Sequence, residues 1–300
     1  WTIMVYSLQV SYWLTLGLAV LAAGFLVRIF IIQHDCGHQS FFKSRKANDI
    51  LGTISGVLTF TPYDHWRRHH ARHHANSGDL DFRGIGDVDT LTVDEYLALD
   101  WRGRLKYRVY RSPWLLFFVT PSLLFLFAHR FPYKTNKAEK KARKSVWLTD
   151  AALLGAFLLL GYFIGYKEVL LIQLPITMMS ASMGVYMFYV QHQFEDTYWR
   201  HHKEWDYETA ALVGSSYFQL PKIFQWFTGN IGYHHVHHLS PLIPNYLLED
   251  AHEENEIFQQ VETLTFAKSI QSAFLHLWDE QADRLISFRE LRKRRVNAAV

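Results

Sequence analysis

The sequence has 300 residues, 49% of them hydrophobic and 16% aromatic, with a formal net charge of +3. That charge is too small to argue for nucleic acid, and there is no zinc-finger pattern, RNA-binding signature or continuous basic arm. Cys36 is the only cysteine, which excludes an intrachain disulfide and a Cys-based zinc or iron–sulfur site.

The mean hydropathy of −0.06 averages two unlike kinds of sequence. Long apolar stretches alternate with highly charged ones, the pattern of a membrane protein with large aqueous loops. The chain opens at Trp1 with no basic n-region and no small-residue cleavage site, and reads as trimmed, with residues expected before it. The stretch 8–33 is interrupted only by small polar residues and Arg28, and is long enough to span at roughly 20 residues per crossing. The stretch 50–62 is short for a span. The stretch 113–131 carries Pro113 and Pro121. The stretches 147–166 and 169–190 are each span length, joined at Lys167-Glu168. Beyond Gln191 the chain is polar, and 210–232 and 266–278 read as interfacial or packed helices.

Histidine is the anomaly. Most of the 17 fall in tight groups at 34–38, 65–74, 192 and 234–238. If these make one site, they share one side of the membrane. The paired spans 147–166 and 169–190 then form a hairpin, while 50–62 and 113–131 are re-entrant or interfacial, and Pro121 suits a broken helix. This places Lys134, Lys137, Lys140, Lys141, Arg143 and Lys144 on the side of Arg67, Arg68 and Arg72. Lys/Arg-rich short loops favour the cytoplasm, so the site is expected on the cytoplasmic face. The expected fold is a single all-α integral membrane domain, 1–300. Its cytosolic helical cap, from 63–112 and 191–300, carries a histidine-rich di-metal site.

On a helix, His34 and His38 lie one turn apart. His70, His73 and His74 share a face at i, i+3 and i+4, as do His234, His237 and His238. His235 points about 100° away from His234. Each group alone has a plainer reading: a helix end capped by His, a solvated basic helix, or, for His192, a satisfied interface residue. Together they give one HxxxH and two HxxHH patterns beside apolar segments. Imidazole-rich sites without thiolate suit iron, copper, nickel or zinc. Eight or nine imidazoles exceed the needs of one tetrahedral zinc and fit two metals with four or five ligands each. Acids should orient the rings from behind, and Asp35, Asp81 and Glu195 are candidates by position.

The pattern HDCGH (34–38), HARHH (70–74) and HHVHH (234–238) resembles the three histidine boxes of membrane fatty acid desaturases. It is most similar to the acyl-lipid branch that includes bacterial and plant delta-12 and omega-3 enzymes. The likeness runs over roughly 30–250, including Gly78 to Leu80 and Leu239 to Tyr246. It implies a di-iron centre held by His34, His38, His70, His73, His74, His234, His237 and His238, with His192 as the extra ligand on the last membrane helix. In the acyl-CoA branch an Asn one turn before that histidine reaches a metal through water. Here that position is Phe188, and Asn230 is the substitute candidate.

The resemblance further implies O2-dependent insertion of a cis double bond into an acyl chain carried on lipid, CoA or a carrier protein. It implies an external ferredoxin or cytochrome b5-type donor and a bacterial inner-membrane location. The basic segments Lys134 to Lys144 and Arg102 to Arg111 would suit an acidic partner, or be ordinary positive-inside charge. The rival with the same fold is a hydroxylase or ketolase of an acyl chain, alkane or carotenoid, told apart by oxygen retained in the product. The rival from another class is a His-rich metal transporter, which would need ionisable residues mid-membrane that are few here.

Overall fold

The computed structural model describes residues 1–84 and 86–297. A short helix α1 (Thr2–Ser7) leads into α2 (Tyr12–His38), which Ser11 starts by accepting from the backbone N–H of Trp13. Its Leu- and Ala-rich sequence favours helix throughout. It ends at Gln39, in the left-handed region at φ 63°. Ser44 caps α3 (Arg45–Leu58), which leaves Ile50, Ile54 and Leu58 exposed as one i, i+4, i+8 stripe. At about 1.5 Å per residue its length reaches roughly 21 Å, short of a ~30 Å hydrocarbon core.

Next come α4 (Tyr63–Asn76), β1 (Leu91–Thr92), α5 (Val93–Ala98) with a Thr92/Glu95 capping box, and α6 (Trp101–Tyr110). A π-helical turn, Leu115–Val119, then feeds α7 (Thr120–Leu126) and a 3-10 turn, Ala128–Arg130. The path from α6 into this segment bends by 55°. Pro121 lies inside this unbroken helical run, where its ring removes a backbone N–H, and the π turn immediately before it is the irregularity that accommodates it.

The hairpin consists of α8 (Lys140–Ile164) and α9 (Tyr166–His192). Its turn is Gly165, not Lys167-Glu168. Gly165 adopts φ +96°, and a Cβ there would lie 2.0 Å from the Glu168 carboxylate. Among the described residues three helices, α2, α8 and α9, are long and apolar enough to cross a membrane. Only 11–28% of their most apolar stretches is buried within the protein, so most of that surface requires lipid.

The cap continues with α10 (Tyr207–Val213), β2 (Tyr217–Phe218), α11 (Lys222–Phe227), α12 (His234–Leu239), α13 (Leu248–Glu254), α14 (Glu256–Gln259), β3 (Thr263–Leu264), α15 (Phe266–Ser272), β4 (Leu277–Asp279), β5 (Arg284–Ile286) and α16 (Phe288–Asn297). The fold is thus mostly helical, as expected, with two small sheets added. In one, β4 pairs parallel with β1 and antiparallel with β5; in the other, β2 pairs parallel with β3. These strands pull the chain after Gln191 back over the cap end of the spans. The main core lies there, where Met187, Tyr189 and Val190 of α9 meet Phe218, Ile231, Val236 and Leu248.

Arg111, just past α6, is fully buried in this region. It donates to the Asp89 carbonyl, Thr90 Oγ1, Tyr189 OH, Gln193 Oε1 and the Leu275 carbonyl. It therefore fixes the end of α9, beside His192, to three other segments of the cap.

Candidate metal centre

Four helices end or begin at one place and deliver imidazole nitrogens to it. The last turn of α2 supplies His34 and His38, α4 supplies His70, His73 and His74, the end of α9 supplies His192, and α12 supplies His234, His237 and His238. The nine rings sort into two groups. His34, His38, His70, His74 and His237 form one; His73, His192, His234 and His238 form the other. Within each group the donor atoms lie within 4.8 Å of one another, close enough to hold one metal ion.

Helix geometry explains the sorting. Residues i and i+4 differ by about 40° around the axis, whereas i+3 lies about 60° to the other side of i. From α4, His70 and His74 enter the five-ring group and His73 the four-ring group. From α12 the assignment is reversed: His234 and His238 enter the four-ring group and His237 the five-ring group. Each HxxHH motif therefore spans both groups.

The donor set fits a metal pair. A neutral imidazole carries one proton, on one of its two nitrogens. His192 Nδ1 donates to the Gly214 carbonyl at 3.1 Å, which leaves Nε2 bare and facing His234 Nε2 at 2.9 Å. His237 Nε2 lies 3.0 Å from His74 Nε2, which lies 3.1 Å from His70 Nε2. His73 Nε2 lies 3.3 Å from His238 Nε2, and His38 Nε2 is buried with no hydrogen-bond partner among the described residues. So many lone pairs converging in a dry interior call for cations between them. Burial, reinforced by the neighbouring rings, pushes His70, His74, His234, His237 and His238 well below the ordinary histidine range. These five rings are thereby held in the neutral form that ligation needs.

One carboxylate stands behind each group, Asp35 buried and Asp87 half-buried. Asp35 Oδ1 lies 3.2 Å from His34 Nδ1, while its other oxygen accepts from Asn245 N at 2.7 Å and Asn245 Nδ2 at 2.8 Å. Asp87 accepts from His73 Nδ1. Trp66 stacks on His70 at 4.6 Å, and the packing explains the glycine of HDCGH: a Cβ on Gly37 would lie 2.9 Å from the Trp66 ring. Phe188 packs against His73 and His192, with ring centroids 4.9 and 5.3 Å away. Beside it is a cavity of about 20 Å³, bordered by Asp87, His192 and Trp199, with room for about one water.

Asp81, Glu195 and Asn230 do not back the rings as their positions suggest. Asp79 pairs with the strand-like Arg200, which turns Asp81 outward to accept from His201 Nδ1 at 2.8 Å and His202 N at 3.0 Å. Glu195 is exposed and accepts from Arg284 at 2.6 Å. Asn230, at φ +56°, donates to the Asn245 carbonyl at 3.2 Å, so it braces the loop that holds Asp35. Asp87 and Asn245 are the residues that sequence reasoning missed. The run from Leu239 to Tyr246 already marked Asn245's segment; nothing local marked Asp87. His235 lies outside both groups, 3.1 Å from His252, and His65 and His69 pack instead on Tyr133.

Residues 11–265 match the profile of the family described as fatty acid desaturase. This chain belongs to that family. The desaturase is 50% identical over 292 residues to a fatty acid desaturase of Bacillus subtilis, a match covering 97% of this chain and 82% of the relative. It is 27% identical over 249 residues to an sn-1 oleoyl-lipid 12-desaturase of Synechocystis sp., covering 82% and 68%. It is 28% identical over 241 residues to a chloroplastic sn-2 acyl-lipid omega-3 desaturase (ferredoxin) of Helianthus annuus, covering 75% and 52%. The desaturase is thus a membrane-bound oxidoreductase acting on fatty acyl chains, with histidine clusters able to bind metal.

Proposed function

We propose that the desaturase inserts a cis double bond into a lipid-borne acyl chain, using O2, a di-iron centre and an external one-electron donor. The balance is one CH2–CH2 unit, O2, two electrons and two protons giving CH=CH and two waters. The observation that carries this reading is the division of nine thiolate-free imidazoles, seven buried and two half-buried, into groups of five and four. Two irons in these groups would supply the oxidising power to remove hydrogen from unactivated carbon.

The protein's own contribution is positioning. Asp87 holds the Nδ1 proton of His73, Asp35 lies against Nδ1 of His34, and the Gly214 carbonyl holds that of His192, so each Nε2 points inward. Phe188 and Trp66 cover the rings with apolar surface and exclude water. The lipid-facing helices bring the acyl chain to the cap.

Ferredoxin or a cytochrome b5-type protein is the proposed donor, in keeping with the name of the sunflower relative. The centre is proposed to face the cytoplasm of a bacterial inner membrane. In support, the Lys-rich start of α8 lies against α4, with Lys141 2.8 Å from Asp64.

The test is expression in a bacterium fed defined saturated and monounsaturated acids, followed by mass analysis of the lipid acyl chains. A new double bond that disappears in His237→Ala is the expected result. A product heavier by one oxygen would make the enzyme a hydroxylase. No new product after both donor types have been supplied would exclude these acyl substrates.

A further inference from the structure

An open groove of about 870 Å³ runs between α6 and α16, remote in sequence from the histidine boxes. Tyr96, Trp101, Leu105 and Phe288 give it an apolar floor, and Arg104, Arg108, Arg292 and Arg295 line it. Its volume falls within the roughly 300–1,000 Å³ typical of ligand sites.

Two of the arginines are fixed in advance. Arg104 donates through Nε to the Leu99 carbonyl at 3.0 Å and through Nη2 to the Leu97 carbonyl at 2.5 Å. Arg108 donates to Tyr96 OH at 2.7 Å and lies 4.9 Å over the Phe288 ring. None of the four forms an ion pair among the described residues, whereas the nearby Arg284 and Arg294 are both paired with Glu290. Asp100 is the carboxylate in the lining, and it is occupied in capping α6 through Gly103 N. Four uncompensated guanidinium groups around an apolar floor call for an anion with an apolar body.

The surroundings identify the occupant as lipid. Trp101, Leu105 and Val109 are exposed along α6 at i, i+4 and i+8, and Trp114 extends the stripe into the bent segment that follows. A basic helix with such a stripe lies in the membrane interface, where Trp is favoured. An acidic soluble protein would match the charge but leave this stripe uncovered.

We infer that the groove between α6 and α16 binds the phosphate headgroup of an anionic membrane phospholipid, anchoring the cap on the bilayer.

The full chain, purified in mild detergent, would be offered phosphatidylglycerol and phosphatidylcholine and weighed by native mass spectrometry. Preferential retention of phosphatidylglycerol is expected. The Arg292→Gln/Arg295→Gln variant should lose about fivefold in retention per arginine, with bound metal unchanged. The variant with lysine at both positions should recover most of the retention. Equal retention of both lipids would overturn the inference, as would a preference that survives the double glutamine variant combined with Arg108→Gln. Loss of ferredoxin binding with lipid retention intact would make the groove a protein dock and overturn it too.

Discussion

His73 reaches the four-ring group with Asp87 fixed to its far nitrogen, and removing that one charge tests what the carboxylate contributes. Asp87→Asn keeps the shape of the side chain but weakens the acceptor. By the usual effect of residues behind a metal ligand, binding at the four-ring group should fall roughly 10–100-fold. Equilibrium dialysis against a graded chelator, read as iron per chain, should show one ion released early and the other retained. Simultaneous release of both would mean that Asp87 serves the whole cap rather than His73. The companion comparison is His235→Ala with His237→Ala, neighbours but one on α12. His237 enters the five-ring group, while His235 faces His252 and Phe258. Iron should therefore be lost in the second variant and kept in the first; equal loss would refute the helical-face assignment. The contrast between His237 and Asp87 also shows what sequence could reveal. Three residues on one short helix announce themselves by spacing. Asp87 meets His73 only because the loop after α4 folds back, so neither spacing nor composition separates it from Asp81.

At the scale of the element, the boxes work because helices hold the rings in register, and the fit of one helix on another sets that register. Gly37 is one such point, with α2 close enough to α4 that the Trp66 ring fills the space of a Cβ. Gly37→Ala should push Trp66 off His70, at an overpacking cost of about 1–3 kcal/mol. The expected outcome is a lower unfolding temperature together with reduced occupancy of the five-ring group. A loss of stability with full iron content would show that Trp66 packs the helices without positioning His70. Elements were legible where a pattern runs over many residues, as in α2, α8 and α9. They were not where one residue or a tertiary pairing decides. The hairpin turn rests on the left-handed Gly165 rather than on the charged pair beside it. Strands as short as β1 or β4 carry no period of their own and exist through their partners.

For the whole molecule, burying so many imidazoles ties stability to pH. Burial pushes His69 down to about 4, and His235 and His276 down to about 3. None of these belongs to either ring group. In the unfolded chain each titrates near its ordinary value of about 6.5. Below that pH the unfolded chain takes up protons that the folded cap refuses, so acid favours unfolding. Stability should be full above about pH 6.5 and fall as the pH drops towards 4 and then 3. The slope is at most about 1.4 kcal/mol per pH unit for each proton taken up. Metal adds a separate contribution, since an ion that binds only the folded rings stabilises by about 4 kcal/mol when present at a thousandfold excess over its dissociation constant. Thermal unfolding of the detergent-solubilised protein at pH 7.5 and 5.5, with and without chelator, separates the two. The chelated protein should unfold at a lower temperature at pH 5.5 than at 7.5, and loaded protein should unfold higher than chelated protein at both. A chelated protein indifferent to this change in pH would mean that the buried histidines are already charged. A chelator without effect at pH 7.5 would mean that no ion joins α2, α4, α9 and α12.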